Sequence, residues 1–361
     1  MKLKEYSIKV ILNNQNQSGA YVACPYFENY KYSWLRDGSF IAYSMLVSNQ
    51  IESCKKFLDW VNNVILRYKD KVRSISSKLK NGEKLLATDF LPTRYTLRGF
   101  EVRDDWPNFQ IDGYGAWLWC LSEYINITND EYLIVEFQES IRITLDYLEM
   151  VWKIPNYDCW EENGTKIHPS TLACVYGGIR GINRYLGEIE LYNLAEEIKK
   201  FILEEGTKDG RFIKYIGSDS IDSSLLWLSV PFNVVDPNNP IMKKTVKLIE
   251  EKLYEDGGVK RYPEDTYYGG GQWILLTCWL GWYYLSINKI DKAKKIIEWV
   301  ENQSDEEGNL PEQVLYITNN SEYIKYWEEK WGKVAKPLLW SHAMYLILLN
   351  EIENKRQQKK N

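Results

Sequence analysis

At 361 residues, 45% of them hydrophobic, the chain is long enough for one large domain or two ordinary ones and can bury a substantial core. Its 45 Lys and Arg against 50 Asp and Glu leave a net charge of -5. That argues against nucleic acid as a partner, because binding a phosphate backbone draws on a concentrated basic face.

Residues 1–10 mix charges with apolar side chains and do not read as a signal peptide. No stretch approaches the ~20 apolar residues of a membrane span, so no membrane partner and a cytoplasmic location are expected. Residues 7–12 carry a weak strand signal. Apolar residues at helical spacing then predict helices over 39–49, 51–68, 114–125, 130–151, 171–185, 191–204, 223–230, 241–253, 273–287, 290–302 and 338–352. A second short strand signal lies at 211–216. The basic end of the chain (Lys355, Arg356, Lys359, Lys360) reads as a solvated, flexible tail over 354–361.

The helices alternate in character. Those over 51–68, 130–151, 191–204 and 290–302 carry charges along one side, as helices with a solvated face do. Those over 114–125, 171–185 and 273–287 are apolar or small throughout, as enclosed helices are. About six such pairs predict an all-α fold, a closed (α/α)6 barrel. A solenoid fits less well, because no motif repeats at fixed period. No linker interrupts 1–361, which reads as one domain.

Loops at 19–37, 99–112, 155–170, 256–272 and 305–336 each lead into an enclosed helix. If the inner helices run parallel, all five meet at one mouth, and they hold a large share of the Trp, Tyr, Arg and Glu. The six cysteines (Cys24, Cys54, Cys120, Cys159, Cys174, Cys278) have no paired spacing and read as buried free thiols. With two histidines, His168 and His342, a multi-histidine metal centre is not available, and neither a metal nor another cofactor is expected. Both histidines read as structural, His342 as a helix-start residue near the pocket. The 15 Trp and 27 Tyr suit either a large aromatic core or stacking on the apolar faces of sugars.

Two loops carry candidate chemistry. In Tyr157-Asp158-Cys159-Trp160-Glu161-Glu162-Asn163-Gly164, adjacent carboxylates stand beside an indole. Desolvation and a like charge both favour the protonated form, which suits a proton donor. In Gly308-Asn309-Leu310-Pro311-Glu312-Gln313, Pro311 stiffens the backbone before Glu312, which suits a carboxylate that must aim at a water. Either glutamate alone reads as a solvated loop residue. Two of them on opposite walls of one mouth match what glycosidic hydrolysis asks for.

These segments resemble the catalytic domain of glycoside hydrolase family 15, that of glucoamylases, glucodextranases and trehalases. The resemblance spans about residues 18–350. It rests on Trp34-Leu35-Arg36-Asp37, on 106–115 (Trp106 to Gly115), on Asp158-Cys159-Trp160-Glu161-Glu162, on 261–270 (Arg261 to Gly270), on 308–313, and on Trp340-Ser341-His342-Ala343. It implies a six-hairpin toroid and an inverting, exo-acting reaction that releases β-glucose from an α-glucan or α-glucoside. By the same resemblance Glu161 is the general acid and Glu312 the general base. Glu162 binds sugar on the leaving-group side, Arg36, Asp37 and Arg261 hold the terminal glucose, and Trp34, Trp106, Trp160 and Trp273 are sugar platforms. Many prokaryotic members carry an amino-terminal β-sandwich, whereas only about twenty residues precede the first match here, so no separate β-sandwich domain is expected. Linkage preference (α-1,4, α-1,6 or trehalose) and oligomeric state are not read from the sequence. A carbohydrate-sensing module on the same fold would also show the resemblance, but retention of both glutamates with the sugar-binding Arg and Asp favours an enzyme. Terpene cyclisation or prenyl transfer would need an Asp-rich or Cys/His metal set, and neither is found.

Overall fold

The computed structural model describes residues 2–358. In chain order its helices are α1 (Leu3–Asn13), α2 (Leu35–Val47), α3 (Ile51–Arg67), α4 (Lys69–Lys80), α5 (Asp112–Thr128), α6 (Tyr132–Glu136), α7 (Gln138–Val151), α8 (Pro169–Leu186) and α9 (Ile189–Glu205). A 3-10 helix over Ser223–Leu228 precedes α10 (Pro240–Lys252), α11 (Ile274–Ser286), α12 (Ile290–Glu301), α13 (Glu322–Trp331) and α14 (Leu339–Gln358).

Six of these elements close a ring. α2 packs on α5, α5 on α8, α8 on the 3-10 helix, that helix on α11, α11 on α14, and α14 back on α2. Outside them, α1 covers α14, α3 covers α2, α7 covers α5, α9 covers α8, α10 covers the 3-10 helix, and α12 covers α11 and α14. The arrangement is an (α/α)6 barrel. Burial follows the layers. In α11 every residue from Ile274 to Leu285 is buried, whereas α12 buries only the stripe Ile290, Ala293, Ile296, Ile297 and Val300.

Glycine sets the tightest inner contact. A Cβ on Gly115 would stand 2.3 Å from the Cys174 carbonyl oxygen, and one on Gly178 would stand 2.3 Å from the Gly115 carbonyl. Helices α5 and α8 therefore touch backbone to backbone. The barrel axis is filled by aromatic rings from five of the six inner elements. Phe40 of α2 stacks on Trp227 (5.7 Å between centroids) and Trp340 (5.5 Å) and lies 5.4 Å from Trp119, while Trp279 meets Trp227 at 4.7 Å and Trp340 at 5.7 Å. Phe40 and Trp227 are wholly buried. This plug closes the barrel below its mouth.

Strands are brief and join loops. β1 (Ser33–Trp34) pairs with β2 (Arg94–Tyr95), and β3 (Thr207–Lys208) with β4 (Arg211–Phe212). β5 (Tyr254–Glu255), β6 (Gly258–Val259), β7 (Gln272–Trp273) and β8 (Gln313–Val314) form one antiparallel sheet that ties loop 256–272 to loop 305–336.

Several expectations need correction. Residues 7–12 belong to α1, whose buried Ser7, Val10 and Ile11 follow the helical i, i+3, i+4 pattern. The helix over 130–151 is two helices, parted at Phe137. The inner element expected at 223–230 is a 3-10 helix, capped by Asp222 accepting from the Ser224 N–H at 2.8 Å and followed by Pro231, which has no N–H to continue it. Helices α4 and α13 lie where none was expected. Of the tail at 354–361, α14 includes the part up to Gln358 and the rest lies outside the described residues. Among the described residues no helix is long and apolar enough to cross a membrane, no His/Cys/Asp/Glu cluster is arranged to hold a metal, and the six cysteines are unpaired and buried.

Candidate active site

Each inner element is entered from the same end of the ring, so the loops before them converge. Trp34, Arg36, Asp37, Trp106, Trp160, Glu161, Glu162, Arg261, Trp273 and Glu312 all line one cavity of about 390 Å³. The five loops expected at the mouth all contribute. Inner-helix N-termini face this end, and two of them carry an acidic residue in the first turn, Asp37 of α2 and Asp112 of α5.

The Glu161 loop is folded by Asp158. Its buried Oδ1 accepts from the N–H groups of Trp160 (3.0 Å) and Glu162 (2.9 Å), and its carbonyl accepts from the Glu161 N–H. Burial pushes the Asp158 carboxyl up to about 7. Glu161 itself adopts φ +66°, a left-handed conformation that costs about 1–3 kcal/mol in a non-glycine residue and persists only where its surroundings enforce it. His168 supplies part of that support. Its Nε2 donates to the carbonyls of Asn156 (2.9 Å) and Asn163 (3.2 Å), and burial pushes its pKa down to about 4.

Glu161 Oε1 accepts two hydrogen bonds, from Trp34 Nε1 at 2.7 Å and from Gln110 Nε2 at 3.0 Å. The indole that hydrogen-bonds Glu161 is thus Trp34 and not its sequence neighbour Trp160. Trp160 gives its N–H to Asp222, at 3.0 and 3.1 Å from the two oxygens. Gln110 is oriented in turn by Arg36, which donates to its Oε1 at 2.7 Å and to Asp112 at 3.1 Å. Burial disfavours the Arg36 charge, but Asp112 and Asp37 outweigh it and hold the guanidinium above its ordinary pKa. Asp37, 3.3 Å from Arg36, is pushed by burial up to about 6.

Glu162 faces cations. Tyr262 donates its hydroxyl to Oε2 at 2.5 Å, Arg261 lies 3.5 Å from Oε1, and Lys214 lies 3.9 Å from Oε2. Arg261 is clamped by both oxygens of Asp265 and sits among the rings of Trp160, Tyr262, Tyr267 and Trp273 at 5.2–5.5 Å. Lys214 also pairs with Asp222 at 3.3 Å.

Glu312 is 3% exposed. Its N–H donates to the Ala335 carbonyl at 2.9 Å, and the carbonyl of Pro311 accepts from Ser341 Oγ at 2.8 Å. His342, which accepts from the Leu310 N–H at 3.0 Å through Nε2 and lies 2.8 Å from Ser7 Oγ through Nδ1, braces the same loop and is neutral, its pKa pushed down by burial to about 3. Burial pushes the Glu312 carboxyl up to about 8, against the opposing pull of the Tyr30 and Tyr267 hydroxyls and the Arg261 charge. Those two hydroxyls meet each other at 3.1 Å. Tyr30 is itself held well above its ordinary pKa by burial, with the charges of both Glu312 and Glu161 adding to the effect.

Polar atoms on the cavity wall are left over. Trp106, Trp273 and Trp340 Nε1 and Glu312 Oε2 are buried and have no hydrogen-bond partner among the described residues, while Arg36 Nε and Asp37 Oδ2 face each other at 3.3 Å without an aligned hydrogen bond. Proteins seldom bury such groups unpaired. Here donors and acceptors line one cavity walled by indoles, which is the complement of a sugar: hydroxyls at the edge, apolar faces above and below.

Sequence reasoning missed Tyr30, Tyr262, Tyr267, Lys214, Asp222 and the α13 residues Trp327 and Trp331. Lys214 and Asp222 had a legible signal: stretch 213–222 enters the one inner element whose loop was not counted. Trp327 and Trp331 had only the general signal of lying in loop 305–336, expected at the mouth; α13 itself buries no residue and so shows no helical stripe.

Barrel and pocket together define a carbohydrate-cleaving enzyme of the helical-toroid class. Residues 4–298 match the family model described as Glycosyl hydrolases family 15, and the chain belongs to that family. The isomaltose glucohydrolase of Kribbella flavida is 36% identical over 358 residues, covering 97% of this chain and 92% of that protein. Trehalase 1 of Sulfolobus acidocaldarius is 23% identical, over 90% of this chain and 57% of its own length. A solved glycosidase in complex with glucose superposes with a TM-score of 0.94 at 36% identity, covering 97% of this chain and 96% of that one. A bacterial glucoamylase complexed with acarbose shares the fold, with a TM-score of 0.78 at 19% identity over 97% of this chain and 55% of its own.

Proposed function

We propose that this glycoside hydrolase removes single glucose units from the non-reducing ends of short α-glucosides, with α-1,6-linked isomaltose as its preferred type of substrate, and inverts the anomeric centre. The observation that carries the exo reading is the aromatic plug. A pocket closed from below by Phe40, Trp227, Trp279 and Trp340 admits a chain end but not the middle of a chain. Its volume of about 390 Å³ lies near the low end of the ~300–1,000 Å³ of small-molecule sites, which suits a short oligosaccharide. The likeness to an isomaltose glucohydrolase supports the linkage.

In this reading the terminal glucose lies over Trp340, with hydroxyls on Arg36, Asp37 and Arg261. Glu161 carries its proton on Oε2, since Oε1 already accepts two hydrogen bonds, and passes it to the glycosidic oxygen as the C–O bond breaks. Glu312 takes a proton from a water that attacks the anomeric carbon from the other face. Tyr30 and Tyr267 hold the carboxylate side of that water site, and Glu162 binds the departing sugar.

Glucose release from isomaltose, maltooligosaccharides, dextran and trehalose tests the proposal, with the fastest turnover expected on isomaltose. Glu161→Gln and Glu312→Gln should each lower turnover at least ~100-fold, the scale of general acid or base catalysis. Fastest release from trehalose or from long maltooligosaccharides would overturn the linkage and length assignment. Full activity in either variant would overturn that residue's role.

A further inference from the structure

Behind the cavity wall lies a buried cation with no place in the chemistry above. Arg94 is 3% exposed and does not line the cavity. It sits on β2, directly opposite Trp34 of β1 in the antiparallel register. Its guanidinium lies over three rings, Trp106 at 4.0 Å, Tyr32 at 4.4 Å and Trp34 at 5.3 Å. NH1 donates to the Asn29 carbonyl at 2.9 Å, NH2 pairs with Asp104 at 2.5 Å, and Nε has no hydrogen-bond partner among the described residues. The Asp104 side chain is 41% exposed, so this is a buried charge with a half-solvated counter-ion. Such an arrangement contributes little stability that an apolar side chain of similar volume would not.

What the guanidinium does provide is a flat, rigid surface that fixes the planes of the indoles around it. One of those is Trp34, whose N–H reaches Glu161 Oε1 at 2.7 Å. The other is Trp106, which meets Trp34 edge-on at 6.1 Å and stacks on Trp331 of α13 at 6.0 Å. We infer that Arg94 is a positioning residue for the proton donor: it sets the Trp34 indole, and through that indole the orientation of Glu161 towards the glycosidic oxygen. The inference rests on the assignment of Glu161 as the acid. Arg94 touches no substrate atom, so its effect should appear only when the leaving group must be protonated.

The test compares wild type, Arg94→Met, Trp34→Phe and the double variant. Each is measured on the disaccharide that the wild type cleaves best among isomaltose, maltose and trehalose, and on α-glucosyl fluoride, whose leaving group needs no proton. Arg94→Met should lower kcat on the disaccharide by about 10–100-fold, the cost of misplacing a catalytic group by roughly 1 Å, and leave the fluoride rate close to wild type. In the Trp34→Phe background it should add little, because both changes act on one contact. Arg94→Lys, which keeps the charge beside Asp104 but not the planar stack, should show the same selective loss in smaller measure if the Met variant does not fold. Equal losses on both substrates, or additive effects of the two changes, would overturn the inference while leaving the hydrolase reading intact. A wild type inactive on all the disaccharides would overturn both.

Discussion

Replacing Glu312 by Gln should make the protein more stable and almost inactive, with a stability gain that depends on pH in a defined way. The carboxyl is 3% exposed, and burial raises it from the ordinary 4.5 to about 8 in the folded chain. Below pH 4.5 it is protonated both folded and unfolded, and its ionisation has no influence on stability. Between 4.5 and about 8 the unfolded chain loses the proton while the folded chain keeps it, so wild-type stability falls as pH rises. Above 8 the loss is complete. At 1.36 kcal/mol per pH unit, the interval between 4.5 and 8 corresponds to about 5 kcal/mol, an order-of-magnitude upper value. Gln has no such proton to lose. Asp37 and Asp158, also raised by burial, are present in both proteins and largely cancel in the difference. The assay is urea unfolding of wild type and Glu312→Gln from pH 4.5 to 8.5. The two curves should lie closest at the acid end and diverge by several kcal/mol towards pH 8, the variant being the more stable. Curves that stay parallel, or a variant that loses stability as pH rises, would refute the picture of a carboxyl held in the pocket at a cost to the fold.

In the proposed mechanism the same group sets the acid limb of activity. A general base must be ionised, so kcat/KM on isomaltose should rise with pH through a limb between 4.5 and 8, and a limb at or below 4.5 would contradict that role for a carboxyl raised by burial. In the fold, Gly115→Ala drives a Cβ to 2.3 Å from the Cys174 carbonyl, where backbone and not a pliable side chain must give way. It should cost at least about 1–3 kcal/mol in urea unfolding, and an unchanged midpoint would show that α5 and α8 do not touch as described.

How much of this was legible in the sequence follows from where each element gets its stability. The inner helices announce themselves because burial on all sides demands apolar runs such as Ile274 to Leu285, and the outer ones because a single stripe faces inward. α4 escapes notice because it buries only Val72 and Ile75, too thin a stripe to see among its charges. α13 escapes because its aromatic residues pack across loops, with Trp327 donating to the Thr266 carbonyl at 2.9 Å and meeting Tyr267 at 5.1 Å. α1 reads as a strand because Ser7, a buried polar residue, breaks the apolar pattern that would mark its helical face. In the pocket, charged residues within motifs were found. The groups that orient them were not, since Tyr262 beneath Glu162 and Asp222 beneath Trp160 are neighbours in space and distant in sequence.

The aromatic excess resolves in the same way. Both explanations hold for different residues: Trp117, Trp227 and Trp279 are wholly buried in the core, while Trp34, Trp106, Trp160, Trp273, Trp327, Trp331 and Trp340 line the cavity. Ring stacking across the barrel axis builds the floor on which the others present their faces, so the core and the site share one aromatic network.

The proton NMR spectrum of glucose released in the first moments of isomaltose hydrolysis, before mutarotation, bears most directly on the proposal that Glu161 flanks the scissile bond on one face and a Glu312-activated water on the other. The β anomer should appear first and the α anomer only as the sugar equilibrates; an initial α signal would mean that no water enters from the Glu312 side.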